Sequence, residues 1–244
     1  MSQPVQVSFI GSGVIYYKGR DIGNCSAADI TYDLDKQTLP NYRGGGGNAD
    51  VYERISAVNL AIGITSLNAA NLALLNNASV TNITGQDVTD EELVVSGLDR
   101  LIRVDHMIDT TQTVSLKTAL DVVIPALHSV DGTPNYTVTA AGIIVPTGSE
   151  ITALDEVKIT YKVPAGYLLQ ALLTFGEEGD VVIDGLNDIN GKRHVIDCWR
   201  WKPSPTGLSA ITTEFATATV TGELLSDESK PMGTSKFFRI TAAS

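Results

Sequence analysis

The stretch ITYDLDKQTLPNYRGGGGNADVYERISAVNLAIGIT, residues 30–65, decides how the rest of the chain is read. Ile30, Tyr32 and Leu34 alternate with Thr31, Asp33 and Asp35, the period-two pattern of a half-buried β-strand. Val58, Leu60, Ile62 and Ile64 alternate with Asn59, Ala61, Gly63 and Thr65, a second strand, long and one-faced. The two are expected to pair as a hairpin with a large connection. Four consecutive glycines stand in that connection, Gly44, Gly45, Gly46 and Gly47, and packing requires none of them. Leu39, Pro40, Asn41, Tyr42 and Arg43 precede them, and Asn48 follows. The bland reading is a loose, exposed connection. The functional reading is a segment that orders only against a partner. The flanks favour the second, because an aromatic and an arginine are side chains that interfaces prefer, and glycine lets a backbone approach another surface closely.

Outward from the hairpin, residues 66–77, SLNAANLALLNN, read as a helix. Ser66 is its expected N-cap, and Leu67, Ala70, Leu72, Leu74 and Leu75 supply its apolar side. Residues 86–163 change character to short strands with turn signals, and 118–127 is broken by Pro125 into strand or irregular chain. This segment reads as a small β subdomain inserted into a larger β core made of residues 1–85 and 164–244. Long strands return at 180–185, 192–202 and 214–225, with a closing strand at 236–240. The fold class is therefore mainly β.

The chain has 244 residues and is 43% hydrophobic, enough to bury a core. No apolar run approaches the roughly 20 residues of a spanning helix, and the opening MSQPVQVSFIGSG lacks a basic segment followed by an apolar one. A cytosolic protein without membrane contact is the expectation. A net charge of −11 disfavours gripping nucleic acid, though a wall that repels phosphates makes a good conduit. Cys25 and Cys198 are far apart, and two buried thiols are favoured over a disulfide.

The catalytic and cofactor motifs fail one by one. Gly11 and Gly13 suggest a dinucleotide loop, but Tyr16 holds the third glycine's place and no helix follows; a glycine turn is expected there. Asn190-Gly191 reads as a hairpin turn in which both residues take positive φ. His106, His128 and His194 show no metal-ligand spacing and no neighbouring nucleophile motif. No catalytic residue, cofactor or metal site is assigned. Glu177-Glu178 and Asp227-Glu228 lack calcium-loop spacing and read as solvated turns. In the run Cys198, Trp199, Arg200, Trp201, alternation puts both tryptophans on one face, in the core or at a subunit contact.

Taken in order, ITYDLDKQTLPNY, RGGGGN, VYERISAVNLAIGIT and SLNAANLALL resemble the major tail tube protein of long-tailed bacteriophages. The Pro and Glu of that family's helix motif are absent here. NYTVTAAGIIVPTGSEI with DEVKITYKV resembles the family's middle hairpins, VVIDGLNDINGKRHVIDCWRWKPSP its later glycine-containing stretch, and LSAITTEFATATVTGELLSDESKP with KFFRI its C-terminal strands. The resemblance implies a β-sandwich of two crossed sheets with one flanking α-helix. Copies form a ring, hexameric in the family, whose inner sheets close a β-barrel. Rings stack around a tape-measure protein, between tail tip and tail terminator proteins, and double-stranded DNA later passes through the lumen without specific binding. The location implied is the virion tail, after assembly in the host cytoplasm. The first hairpin's loop would reach the neighbouring ring, which puts Leu39 to Asn48 at the stacking contact. Glu53, Glu214 and Glu223 are the lumen candidates. Two alternatives stand beside this. One is the tube of a contractile tail or secretion system, disfavoured because the inserted segment would hinder a sheath. The other is a β-rich carbohydrate- or cell-binding module using Trp199 and Trp201 as a sugar platform.

Overall fold

A computed structural model describes residues 11–207 and 211–243. The opening residues read for a signal, Phe9 of the glycine motif, and residues 208–210 of the C-terminal stretch lie outside the described residues. The chain divides into two compact units: Thr81–Leu168 is one, and the segments before and after it form the other.

The first unit is built on one eight-stranded sheet. Its strands are β1 (Gly11–Tyr17), β2 (Arg20–Asp21), β3 (Cys25–Pro40), β4 (Asn48–Ile64), β14 (Gly179–Asn187), β15 (Arg193–Ser204), β16 (Ala218–Leu224) and β17 (Phe238–Ala242). The order is β2-β1-β14-β15-β16-β4-β3, with β17 also pairing β15. Buried side chains from along the sheet pack in one apolar cluster. Ile15 and Tyr17, Val181 and Ile183, Trp201 and Leu224 pack in it with Leu60, Ile62 and Ile64. The one helix among the described residues, α1 (Ala69–Asn76), adds Leu75 to that cluster.

Several expectations are corrected here. The helix begins after Asn68, whose side chain accepts from the Asn71 N–H at 2.9 Å. Ser66 cannot cap it, because the Ser66 Oγ accepts the Asn24 N–H at 2.9 Å instead. Gly13 sits in β1, not in a turn. It lies opposite Gly185, and a Cβ on it would stand 2.5 Å from the Asp184 carbonyl oxygen, so glycine permits the close approach of two strands. In the β14–β15 connection only Gly191 has positive φ, at 70°. Strand β16 starts at Ala218 rather than at 214, because its partner β4 ends at Ile64, directly opposite Ala218. Residues 214–217 have no ladder to join. Both cysteines are free, Cys198 buried and Cys25 half-buried.

The second unit has its own core, which includes Leu116, Ile143, Val145, Ile159 and Tyr161. One sheet has the order β6 (Gln86–Val94), β12 (Glu156–Val163), β8 (Ser115–Thr118), β9 (Val123–Ile124). The other has the order β10 (Thr137–Thr139), β11 (Gly142–Ile144), β7 (Leu101–Arg103). The chain enters and leaves through β5 (Ser79–Ile83) and β13 (Gly166–Gln170), which pair with each other. The unit holds 12 of the 28 acidic and 5 of the 17 basic residues, so −7 of the net −11 lies in it. Most of the excess negative charge is therefore outside the unit that carries the hairpin.

Candidate functional site

The longest continuous ladder joins β3 and β4, from Cys25↔Ile64 to Pro40↔Asn48. At about 3.4 Å per residue, β4 is roughly 55 Å long. Its inner half, from Val58 to Ile64, buries every second side chain or more, whereas Asn48 to Ser56 are exposed without exception. Strand β3 is exposed along most of its length, including Tyr32 and Leu34, which the alternation marks as half-buried. The correction has a simple cause: among the described residues only the Phe238 ring, 6.5 Å from that of Tyr32, is found beside these side chains, and it leaves both of them more than half exposed. Leu34 and Ile55 face each other across the ladder yet are 59% and 56% exposed.

Edges tell the same story. Among the described residues β3 pairs only with β4, and β16 covers the far edge of β4 only between Asn59 and Ile64. From Asn48 to Val58 the ribbon is two strands wide, and no described residue pairs with either of its outer backbone edges. A lone two-stranded ribbon is marginal in water, and open edges are templates for another strand.

Register assigns the ribbon's faces, since directly opposed residues share a side. An extra residue at Ser56 shifts the pairing from Asp33↔Ala57 to Leu34↔Ile55, so the apolar side continues unbroken past the bulge. Tyr32, Leu34, Ile55 and Val51 stand on that side, together with Lys36 and Glu53, whose side chains pair at 2.6 Å. The other side carries Asp29, Asp33 and Asp35, and Glu223 joins it from β16, opposite Asn59. Here Asn59 donates to Asp33 at 2.9 Å, and Arg54 binds Asp35 at 2.9 Å.

The three lumen candidates therefore do not share a surface. Glu223 is exposed on the acidic side, Glu53 points to the apolar side, and Glu214 is off the sheet altogether. The aspartates at 29, 33 and 35 were missed, although their alternation with Ile30, Tyr32 and Leu34 was visible in the sequence.

At the tip, Leu39 and Pro40 still belong to β3 and Asn48 to β4, so the connection is residues 41–47. The Asn41 N–H donates to the Gly47 carbonyl at 3.1 Å, and the Asn41 side chain accepts from the Arg43 N–H at 3.0 Å. All four glycines have positive φ: 88°, 102°, 72° and 80° for Gly44, Gly45, Gly46 and Gly47. A Cβ on any of them would meet nothing within 4 Å. The glycines are thus required by conformation, not by crowding. Tyr42 is 84% exposed, and Arg43 forms no ion pair among the described residues.

Other predicted positions resolve differently. The ladder between β14 and β15 runs from Gly179↔Trp201 to Val181↔Cys198, two residues against three. That bulge puts Cys198 and Trp201 on the same, inward side and separates the two tryptophans. Trp201 is fully buried, edge-on to Tyr17 at 5.5 Å. Trp199 lies on the outer side, with Lys230 Nζ 3.9 Å from its ring centre. The sugar platform of Trp199 and Trp201 does not exist. Glu177 binds Lys18, Glu178 binds Arg200 at 2.6 Å, and Glu228 binds Lys236. These acids are tied up by cations, and no cluster of metal-ligating side chains occurs among the described residues. His128 lies beside Ser129, but the Ser129 hydroxyl donates to Glu150 at 2.6 Å rather than to the imidazole.

The model of a family described as "Protein of unknown function UCP028589" matches residues 8–241. No curated protein matches the chain.

Proposed function

The chain belongs to the UCP028589 family, and we propose that it is a structural subunit that builds the tail tube of a long-tailed bacteriophage. One observation carries this reading: the outer half of the β3–β4 ribbon has open edges and exposed apolar side chains on one face. Such a ribbon gains most from pairing with copies of itself, because ring closure removes the edges that otherwise aggregate. In this reading neighbouring ribbons join edge to edge into the wall of an inner barrel. The side with Leu34 and Ile55 turns into the wall. The side with Asp29, Asp33, Asp35 and Glu223 turns to the lumen, where it repels passing DNA. The tip at Tyr42 and Arg43 contacts the next ring. Hexameric rings, the tape-measure protein and the tail tip and terminator proteins follow from the resemblance.

The test is negative-stain electron microscopy and native mass spectrometry of the full chain at rising concentration. Rings or hollow tubes of fixed symmetry are expected. A monomer at every concentration, and also when mixed with tail tip complexes that nucleate growth, would refute the proposal.

A further inference from the structure

The Thr81–Leu168 unit carries an exposed apolar groove of its own. Leu120, Val122, Val123 and Leu154 stand exposed around a groove backed by the buried Ile151 and Val157. Leu120 is 86% and Leu154 77% exposed, so the fold itself gains little from either. Leu154 also has a φ of 75°, backbone that a branched side chain occupies only under strain. The turn around it is held by a main-chain bond and by the Asp155 carboxylate. Its N–H donates to the Val95 carbonyl at 2.8 Å, and the Thr152 N–H donates to Asp155 at 2.7 Å. Glycine or asparagine would keep the same turn without strain. Leu154 thus places an apolar side chain at the groove's mouth at a cost to the backbone and with little return in the monomer's own packing.

Charge selects what would fill the groove. Its lining includes Glu150, Asp155 and Glu156 and no lysine or arginine. The nearby Lys158 is neutralised, bound at 2.9 Å to Asp121, which stands in sequence between the lining residues Leu120 and Val122. Glu156 has no ion pair among the described residues, and the unit as a whole is at −7. Acidic chains and nucleic acid are repelled by this surface.

We propose that this groove docks an extended protein segment whose apolar side chains are flanked by lysine or arginine. The apolar residues lie against Leu120, Val123 and Leu154, and the cations meet Glu150, Asp155 and Glu156 at the rim. Apolar anchors in a groove supply affinity, and rim charge supplies choice of partner and rate of encounter. This inference does not depend on the tube reading, and tubes or monomers serve equally to test it.

The experiment selects short random peptides on the immobilised full chain and measures the enriched ones by fluorescence anisotropy. Enriched peptides should combine apolar residues with lysine or arginine and bind more weakly at high salt. Leu154→Gly and Glu156→Lys should each weaken them about tenfold. Leu154→Gly should at the same time leave thermal stability unchanged or raised, since it relieves the backbone; a purely structural leucine would give the opposite. Failure to enrich any peptide, or binding indifferent to both substitutions, would overturn the proposal. So would a concentration-dependent dimer of the full chain that Leu154→Gly abolishes, because the occupant would then be a second copy.

Discussion

The two halves of β4 share one strand and one partner, yet they live in different environments. From Val58 to Ile64 the side chains at 58, 60, 62 and 64 enter the core; from Asn48 to Ser56 every residue is exposed. The difference lies not in composition alone, since Ile55 and Val51 are as apolar as their inner counterparts on the same face. It lies in what packs against them: the inner half shares one core cluster with residues of β1, β14 and α1, and the described residues leave the outer half exposed. Pattern tells which face a residue takes, and only packing tells whether that face is covered. An apolar face left exposed in this way is the kind of surface that protein partners, ligands or membranes cover, and the tube proposal assigns it to neighbouring subunits.

The widest separation between the halves should come from single truncations. Leu60→Ala removes a fully buried side chain and should cost about 2–5 kcal/mol in urea unfolding. Ile55→Ala should change monomer stability by no more than about 0.5 kcal/mol and yet stop tube growth under the microscope. Equal destabilisation by both, or normal tubes from Ile55→Ala, would erase the contrast.

How much of this was legible beforehand follows the same division. The alternation of Val58, Leu60, Ile62 and Ile64 located the hairpin, and the turn signals located the short strands of the second unit. Bulges were invisible, because an inserted residue leaves composition and approximate period unchanged. The one at Ser56 keeps Ile55 level with Leu34, and the one before Trp201 turns that indole inward. The helix cap was misplaced by two residues because Ser66 is consumed by a contact with Asn24, 42 positions away in sequence. Glu214 was misread since a strand needs a partner, and β4 had already ended. Of the candidate surface, the tip was legible from its glycines and flanks. Of the acidic side, the aspartates of β3 were legible as an alternation, whereas Glu223 joins them from β16 only through the sheet.

A smaller effect should appear when Gly44, Gly45, Gly46 and Gly47 are all replaced by alanine. Each is held at positive φ, where alanine costs roughly 1 kcal/mol. The tip has no tertiary neighbours to resist, so it should rearrange locally while the urea transition of the core stays in place. Individual rings should still form, and stacking into long tubes should fail. Long tubes from the four-alanine variant would remove the tip from the contact.

The inner half should also be sensitive to alkali in a way the outer half is not. Burial pushes the Cys198 thiol from 9.0 up to about 12, and Asp197 adds to the shift. Burial likewise raises Tyr17, in the same core, from 10.0 to about 12. Both groups release their protons more readily when unfolded. Their contribution is complete below pH 9 and is lost as pH rises from about 9 toward 12. Cys198→Ala should flatten the first part of that decline, between about pH 9 and 10, in urea titrations across pH. A decline of unchanged slope would mean that the thiol is not what alkali attacks.

The smallest effect on stability, and the most telling for the ribbon's two faces, should come from its acidic side. Asp33 and Asp35 are surface carboxylates, one accepting from Asn59 and the other paired with an exposed Arg54. Exposed pairs of this kind contribute about 0–1 kcal/mol, so Asp33→Asn with Asp35→Asn should leave the monomer almost as stable as before. The charge consequence is larger than the stability consequence, because Asp35→Asn also frees a guanidinium that the carboxylate had neutralised. If this side lines a lumen, each ring gains several uncompensated cations on the path of the DNA. Tubes of the double variant should then retain DNA at low salt and release it as salt rises, the dependence expected of phosphate contacts. The matching change on the opposite side, Glu53→Gln, frees Lys36 in the same way but should leave DNA retention unchanged. If both variants retained DNA equally, the register that separates these two faces would have no bearing on which one DNA meets.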